Sequence, residues 1–295
     1  MKLSSNGLSF EVEVAGHDRS PAVLLTMGLG MQLTAWPGTL LDALVDAGFR
    51  VIRYDNRDVG LSDKLDHLGQ PNLLWQFMRQ RMGLRLRSPY RLQDMALDAL
   101  GILDALGLQR AHLVGVSMGG MVSQRVAATA QQRVLSLTSV MSSSGAPGLP
   151  GPRPEVSRAM MMRPKSRAPE DIVAHTLDIF RMIGSPAYPQ DMKVFRQHLL
   201  DGVARGSHPA GVARQMLAIM SDTGRHRLLD RIGCPTLVIH GEADPLVPIA
   251  CGRDTAKRIP GARFEAIEGM GHDWPPAVAE LLAHHIIPHL KSAPA

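Results

Sequence analysis

Ser117 is the residue whose surroundings most clearly suggest chemistry. It stands at the centre of the pattern Gly-Val-Ser-Met-Gly at residues 115–119. The apolar run before it predicts a strand at 112–116 that leads directly into a helix beginning near Met118. A serine at such a junction is typical of a nucleophile elbow, in which glycines replace side chains that would collide in the sharp turn. Because the bare pattern also occurs by chance, Ser117 needs a base and an acid before it indicates a nucleophile.

His272 is the histidine best placed to act as the base. A serine hydroxyl needs a neighbouring base to remove its proton at neutral pH. His272 lies in a glycine-rich loop at 269–275, between the last predicted strand and the last predicted helix, so we expect it at the same edge of the sheet as Ser117. The three histidines of the final helix lack the carboxylate or cysteine that would complete a metal site, and no metal is predicted.

Asp244 is the predicted acid that orients the histidine and stabilises its charged form. It follows a predicted strand at 236–240, in the turn Gly-Glu-Ala-Asp-Pro. Glu242 comes earlier in that turn, and Asp273 adjoins the histidine without the reach to fold back under its ring. The Met-Ser-Ser-Ser segment at 141–144, after the preceding strand, offers no carboxylate. The alternative role of Asp244 is that of a turn-forming residue before proline.

Attack of a serine on an acyl carbon also requires two N–H donors that face the developing oxyanion. The backbone N–H of Met118, at the start of the predicted helix, is one candidate. The other is expected in the Met-Gly-Leu-Gly turn at 27–30, and we assign it to Leu29. That turn has no charged side chain, so the oxyanion would be held by backbone groups alone.

Short apolar runs bounded by turn residues predict the elements that position these residues. Most runs are continuous rather than alternating, as expected of strands covered on both faces of a parallel sheet. Strands are predicted at 8–14, 22–27, 49–54, 112–116, 134–140, 236–240 and 262–267, and the clearest helix at 92–106. The alternation of strands and helices predicts an α/β fold with a mostly parallel, doubly wound sheet.

The alternation is interrupted once, by a segment that begins with a Pro/Gly-rich stretch and then becomes helical in composition. We predict a core formed by 1–146 and 226–295, and an inserted helical cap at 147–225. The cap holds seven of the 17 methionines, whose flexible side chains adapt to ligands of varied shape; filling the interior of the lid is an equally good explanation. The residues predicted to contact a substrate are Met27, Gly28, Met141, Met160 and Met161.

Composition and charge limit the classes of protein. The chain has 295 residues, 45% apolar and 20% charged, with no apolar run long enough to span a membrane and no visible secretory signal, which favours a globular cytoplasmic protein. Cys234 and Cys251 cannot form a disulfide framework. The net charge of +5 includes five arginines at 79–91 without an acidic residue. Such a cluster could contact nucleic acid or anionic lipid. Because aromatic residues that would stack bases make up only 4% and no recognition motif accompanies the arginines, we interpret this segment as a solvated surface.

The order of Ser117, Asp244 and His272 resembles that of the α/β-hydrolase superfamily. Residues 27–30, 53–62, 115–120 and 269–272 look like a serine-esterase branch similar to aclacinomycin methylesterase. The resemblance implies an α/β-hydrolase fold and hydrolysis of a small-molecule carboxylic ester without metal or cofactor. The methionine-rich cap suggests that the ester is small to medium in size and largely apolar. It gives the Arg57-Asp58 pair no chemical role, and we expect this pair to tie its loop to the core.

Several alternatives use the same residues. Lactonase, perhydrolase, acyltransferase and carbon–carbon hydrolase activities all use the same triad, whereas dehalogenases and epoxide hydrolases require a carboxylate in place of Ser117. A non-catalytic relative that binds a small ligand is a hypothesis of a different class; such relatives usually lack a member of the triad. A homodimer formed through the basic segment or the cap is also compatible with the sequence.

Overall fold

The computed structural model describes residues 1–293, except for the side chains of residues 80 and 81. Eight strands in these residues form one sheet. They are β1 (Lys2–Ser5), β2 (Leu8–Ala15), β3 (Ala22–Thr26), β4 (Arg50–Tyr54), β5 (Ala111–Val116), β6 (Val134–Val140), β7 (Thr236–Gly241) and β8 (Arg263–Ile267). The seven predicted strands are confirmed to within one residue at each end. β1 was not predicted, because its Lys-Leu-Ser-Ser sequence contains no apolar run.

The strands follow the order β1-β2-β4-β3-β5-β6-β7-β8 across the sheet. β3 to β8 are parallel, whereas β1 and β2 join one side of the sheet in antiparallel pairing. Every residue of β3, β5, β6 and β7 is buried. Because the six parallel strands all end at the same edge, the loops that follow them meet there, where ligands bind in open α/β sheets.

Helices cover both faces of the sheet. They are α1 (Gly38–Asp46), α2 (Leu73–Arg81), α3 (Leu92–Ala105), α4 (Met118–Thr129), α5 (Pro154–Met161), α6 (Pro169–Ile183), α7 (Met192–Gly206), α8 (Pro209–Ser221), α9 (Ile249–Arg258) and α10 (Pro276–Ser292). One hydrophobic cluster joins α3 and α4 to one face, and a second cluster joins α1 and α10 to the other. The predicted α/β-hydrolase architecture, with its mostly parallel and doubly wound sheet, is confirmed.

Residues 147–225, which we call the cap, contain α5 to α8 and no strand. Proline at the first position of α5, α6 and α8 suits a helix start, because the N–H group it lacks would have no partner there. The division into core and cap stays a prediction. In residues 1–293, no helix combines the length and the apolar character needed to cross a lipid bilayer.

Candidate active site

Ser117 occupies a sharp turn between β5 and α4. Its backbone has φ 53° and ψ −118°, a conformation that non-glycine residues seldom adopt and that is held only where the surroundings impose it. A Cβ atom at Gly119 would lie 1.9 Å from the carbonyl oxygen of Thr26, and one at Gly115 would lie 2.3 Å from that of Gly119. Any side chain at either glycine would therefore force the turn open, as the sequence pattern indicated.

The structure brings Ser117, His272 and Asp244 into one hydrogen-bonded chain. His272 Nδ1 lies 2.6 Å from Asp244 Oδ2, and His272 Nε2 lies 3.1 Å from Ser117 Oγ. An ionised carboxylate can only accept hydrogen bonds, so Nδ1 carries the hydrogen and Nε2 is left to accept from the serine hydroxyl. Asp244 and His272 are buried. They lie far from Ser117 in the sequence, and the loops that follow β7 and β8 bring them next to it.

Asp244 is fixed from its other side by its own turn. Its Oδ1 accepts hydrogen bonds from the backbone N–H groups of Leu246 at 2.9 Å and Val247 at 2.8 Å. His240, at the end of β7, bonds to the Val247 carbonyl oxygen through Nε2 at 2.7 Å. Burial lowers the pKa of His240, so it braces this turn as a neutral ring. The turn-forming role weighed for Asp244 therefore exists alongside its contact with the histidine.

The cap holds the loop that carries His272. The His272 N–H donates to the carbonyl oxygen of Ile183, the last residue of α6, at 2.7 Å. Ser185, two residues further, accepts from Gly271 N–H at 2.8 Å and donates through its backbone N–H to Asp273 Oδ1 at 2.9 Å. Asp273 thus faces the cap and not the histidine ring, as its short reach predicted. Burial raises the pKa of the Asp273 carboxyl.

The loop after β3 lies beside Ser117, where an oxyanion would form. A Cβ atom at Gly28 would be 3.4 Å from Ser117 Cβ and 3.9 Å from its Oγ, so this loop lies in van der Waals contact with the proposed nucleophile. Among the described residues, neither the Leu29 N–H nor the Met118 N–H has a hydrogen-bond acceptor. Both predicted donors are therefore free of other partners, and their role as an oxyanion hole stays a prediction.

Comparison with known proteins places this geometry in a family. Residues 21–274 match the family model described as alpha/beta hydrolase fold. The chain belongs to the α/β-hydrolase family. It is 30% identical to rhodomycin D methylesterase of Streptomyces peucetius over 95% of this chain and 94% of that one, and 31% identical, with the same coverage, to the enzyme of that name from Streptomyces sp. strain C5.

A solved structure shows the same fold. The enol-lactonase from Burkholderia xenovorans LB400 superposes with a TM-score of 0.76 and 23% identity, covering 99% of this chain and all of that one. The family match and the methylesterase relatives confirm the predicted enzyme class, an esterase-type α/β-hydrolase. The roles of the individual triad and oxyanion residues stay predictions, supported here by their geometry.

Buried charges attach the cap of this α/β-hydrolase to the loop after β4. Arg214 of α8 makes two hydrogen bonds to Asp58, at 2.9 and 2.7 Å, and both side chains are fully buried. Burial by itself would raise the pKa of Asp58, but the bonds from Arg214 and from Leu65 N–H lower it overall. Arg57 instead pairs with Asp98 of α3 at 2.6 Å. Arg57 therefore ties its loop to the core as expected, whereas Asp58 ties it to the cap.

Gln215, next to Arg214, connects the same helix to the oxyanion loop. Its Oε1 accepts from Gly30 N–H at 2.9 Å and its Nε2 donates to the Arg57 carbonyl oxygen at 2.8 Å. The sequence reasoning missed Arg214 and Gln215, although a signal existed. With Gly211 and Ala218 they follow the i, i+3, i+4, i+7 spacing of one buried helix face, and polar residues on such a face indicate buried partners.

A cleft of about 380 Å³ lies between the end of α6 and the turn that carries Asp244. Its lining includes neighbours of the triad, namely Ala243, Pro245 and Asp273, and the cap methionines Met182 and Met192. Ser117 does not line it, so the cleft adjoins the acid side of the triad and not the nucleophile.

The methionines predicted to contact substrate lie elsewhere. Met27 and Met141 are buried in the cluster between the sheet and α1 and α10. Met160 is half-buried and Met161 is exposed on α5, and neither lines this cleft. A substrate role for these methionines and for Gly28 stays a prediction. In residues 1–293, no cluster of three or more His, Cys, Asp or Glu side chains has an arrangement suited to a metal ion.

Proposed function

We propose that this α/β-hydrolase is a serine carboxylic-ester hydrolase that works through an acyl-enzyme. The observation that supports the proposal most directly is the continuous chain of contacts from Ser117 Oγ through the His272 ring to Asp244. Each group faces the atom with which it would exchange or share a proton. An intact chain of this kind, beside two free backbone donors, also argues against a purely ligand-binding relative.

The first half of the reaction would acylate Ser117. His272 Nε2 removes the hydroxyl proton as Oγ attacks the ester carbonyl carbon, and the carbonyl oxygen becomes an oxyanion held by the N–H groups of Leu29 and Met118. Asp244 stabilises the imidazolium without taking its proton. The tetrahedral intermediate then breaks its bond to the alkoxy oxygen, which leaves as the alcohol with the proton from His272.

The second half would return the enzyme to its starting state. His272 removes a proton from a water molecule, whose oxygen attacks the acyl carbon and forms a second oxyanion in the same place. When this intermediate collapses, Ser117 Oγ regains its proton from His272 and the carboxylic acid is released. The same backbone donors therefore serve both halves of the cycle.

Replacement of Ser117 by alanine tests the mechanism. The rate of p-nitrophenyl ester hydrolysis should fall by about 10⁴-fold or more, and a fluorophosphonate probe should no longer label the protein. Ser123→Ala is the matched control, since Ser123 is a buried serine of α4 whose hydroxyl has no hydrogen-bond partner in the described structure. The control should keep both activities; equal labelling of the wild type and Ser117→Ala would reject the proposal.

The proposed substrates are small to medium, largely apolar carboxylic esters, with methyl esters first. The two methylesterase relatives support this choice, since they match the chain over nearly its whole length. A panel of methyl esters of graded acid size, with a lactone and an alcohol acceptor beside it, measures the preference. Release of methanol without transfer to the acceptor is expected, and faster lactone opening or ester exchange would favour the lactonase or acyltransferase alternative.

A further inference from the structure

Helix α2 presents apolar side chains to solvent in an ordered stripe. Leu74, Trp75 and Met78 of α2 are 61%, 50% and 49% exposed, and Met82, in the turn directly after the helix, is 55% exposed. The Met82 N–H still bonds to the Met78 carbonyl oxygen at 3.1 Å, so at 100° per residue the four positions fall within little more than a quarter of the circumference. A helix on the surface of a globular protein usually directs such a stripe towards the core, so α2 is turned the opposite way. Exposed apolar surface of this kind indicates a contact partner.

The polar side of α2 is occupied by the chain that follows it. The Gln76 side chain accepts a hydrogen bond from Arg87 N–H at 3.2 Å, and Arg79 donates through Nη2 to the Arg85 carbonyl oxygen at 3.0 Å. These bonds fold residues 83–87 back against the helix and fix which side faces outward. The outward stripe is therefore built into the local structure. We call residues 72–87 the docking segment.

The charge around the stripe selects the kind of partner. Residues 67–93 contain five arginines and no acidic residue, and Arg85 and Arg87 are exposed in the docking segment. The side chain of Arg81 lies outside the described residues. A symmetric pairing of two copies through this surface would place the same arginine clusters against each other with no acid between them. An anionic partner with an apolar interior satisfies both the charge and the stripe.

We propose that the docking segment attaches this protein to the surface of an anionic lipid bilayer. A tryptophan, leucine and methionine stripe beside arginines is the combination by which interfacial helices bind, since apolar burial and attraction to acidic headgroups add together. The sequence alone favoured a solvated surface for the arginines, because few aromatic residues and no recognition motif accompany them; the outward direction of the apolar side chains is visible only in the structure. This inference does not rest on the hydrolytic reaction.

The docking segment follows the loop that leaves β4 at the edge of the sheet where the candidate active site lies. It belongs to the connection from the end of β4 to the start of α3, and the residues just before it contact the cap. Arg214 donates to the Gly69 carbonyl oxygen at 2.7 Å, and His208 lies 3.0 Å from Asp66. Attachment to a bilayer would therefore bring the cap side of the molecule close to the lipid surface.

Vesicle co-sedimentation of the full-length protein tests this proposal. Vesicles of phosphatidylcholine with about 30% phosphatidylglycerol provide a strongly anionic surface. They should bind the wild type at low salt. Vesicles of phosphatidylcholine alone should bind it at least about tenfold more weakly, and 0.5 M salt should weaken binding to the anionic vesicles. Failure of the wild type to bind anionic vesicles would overturn the proposal, whatever its esterase activity.

Two sets of variants separate the contributions. Trp75→Gln/Met78→Gln and Arg85→Gln/Arg87→Gln should each weaken binding by about tenfold or more. Leu97→Gln/Val194→Gln is the matched control, because these side chains are 44% and 50% exposed outside the segment; it should bind like the wild type. Equal binding by all variants would overturn the proposal. So would a dimer that the Trp75/Met78 variant dissociates, or binding to poly-glutamate in place of vesicles.

Discussion

Asp244 and Asp58 are both buried carboxylates that follow a strand of the same sheet, yet they have different partners. Each accepts backbone N–H bonds from its own loop, Asp244 from Leu246 and Val247 and Asp58 from Leu65. Asp244 then faces a histidine, whereas Asp58 faces an arginine of the cap. An arginine keeps its charge at every relevant pH, while a histidine can gain and lose a proton. Under the proposed mechanism, the partner of the carboxylate, more than the carboxylate itself, decides whether it attaches two segments or takes part in catalysis.

The largest expected effect is that of Asp244→Asn. The amide would present its NH₂ group to His272 Nδ1, which favours the tautomer with hydrogen on Nε2, and that nitrogen could no longer accept the serine proton. We expect kcat to fall by about 10⁴-fold while the unfolding free energy changes little, because the amide oxygen can still accept from Leu246 and Val247. Ester hydrolysis measures kcat, and urea denaturation measures the unfolding free energy. If Asp244→Asn loses activity only because it unfolds, Asp244 is a structural residue like Asp58 and the prediction is wrong.

Arg214→Met should produce the opposite pattern. Asp58 would stay buried and charged without its main partner, and loss of one member of a buried pair lowers the unfolding free energy by about 3–5 kcal/mol. Urea denaturation measures this loss, and Asp58→Asn/Arg214→Met should recover part of it. If Arg214→Met keeps its stability and loses activity by orders of magnitude, the assignment of this pair to attachment is wrong.

His112 provides a buried histidine without a carboxylate. Its Nδ1 lies 2.8 Å from Ser136 Oγ, and burial, with His289 and Arg110 nearby, lowers its pKa to about 4. Below pH 6.5 the His112 side chain binds a proton in the unfolded chain but stays neutral in the folded protein. The stability that the low pKa of His112 contributes is therefore complete above pH 6.5 and is lost as the pH falls towards 4. The unfolding free energy should lose on the order of 2–3 kcal/mol over that range.

The comparison variant for this effect is His112→Gln, followed by urea denaturation at several pH values. Glutamine can keep a hydrogen bond to Ser136 but does not titrate. The decline in unfolding free energy between pH 6.5 and 4 should therefore be shallower than in the wild type. Parallel pH profiles for the two proteins would show that His112 does not cause the decline.

Gln215→Leu should have the smallest effect, a decrease in kcat of about tenfold with little change in KM. The variant removes the acceptor of the Gly30 N–H, so the loop that is proposed to bind the oxyanion is no longer held in place. Gln124→Leu is its control, because Gln124 is equally buried and also makes two side-chain hydrogen bonds, to Ser139 and Arg225. Steady-state kinetics measures kcat and KM for both variants. An equal decrease in kcat in the two variants would show that Gln215 has only a structural role.

The sequence predicted what is determined locally or by topology. Ser117 was found because a strand, a turn and a helix meet within a few residues, and the loops of Asp244 and His272 had to reach the same edge once the sheet was parallel. The partners Arg214 and Gln215 lie 156 and 185 residues from the groups they contact, and no local pattern specifies such pairings. The outward stripe of α2 was missed for a related reason, since an apolar helical pattern does not indicate which side the rest of the chain will cover.

The hydrogen bonds from Ile183 and Ser185 to the His272 loop limit where the cap can be exchanged in protein engineering. Residues 183–185 belong to the cap by sequence, yet they bond to the backbone N–H groups of Gly271 and His272 and to the Asp273 carboxylate. A chimera that exchanges residues 147–225 for another lid would also remove these bonds. A chimera that keeps residues 183–185 of this chain and exchanges the cap on either side of them would preserve the position of the His272 ring while the specificity of the lid is changed.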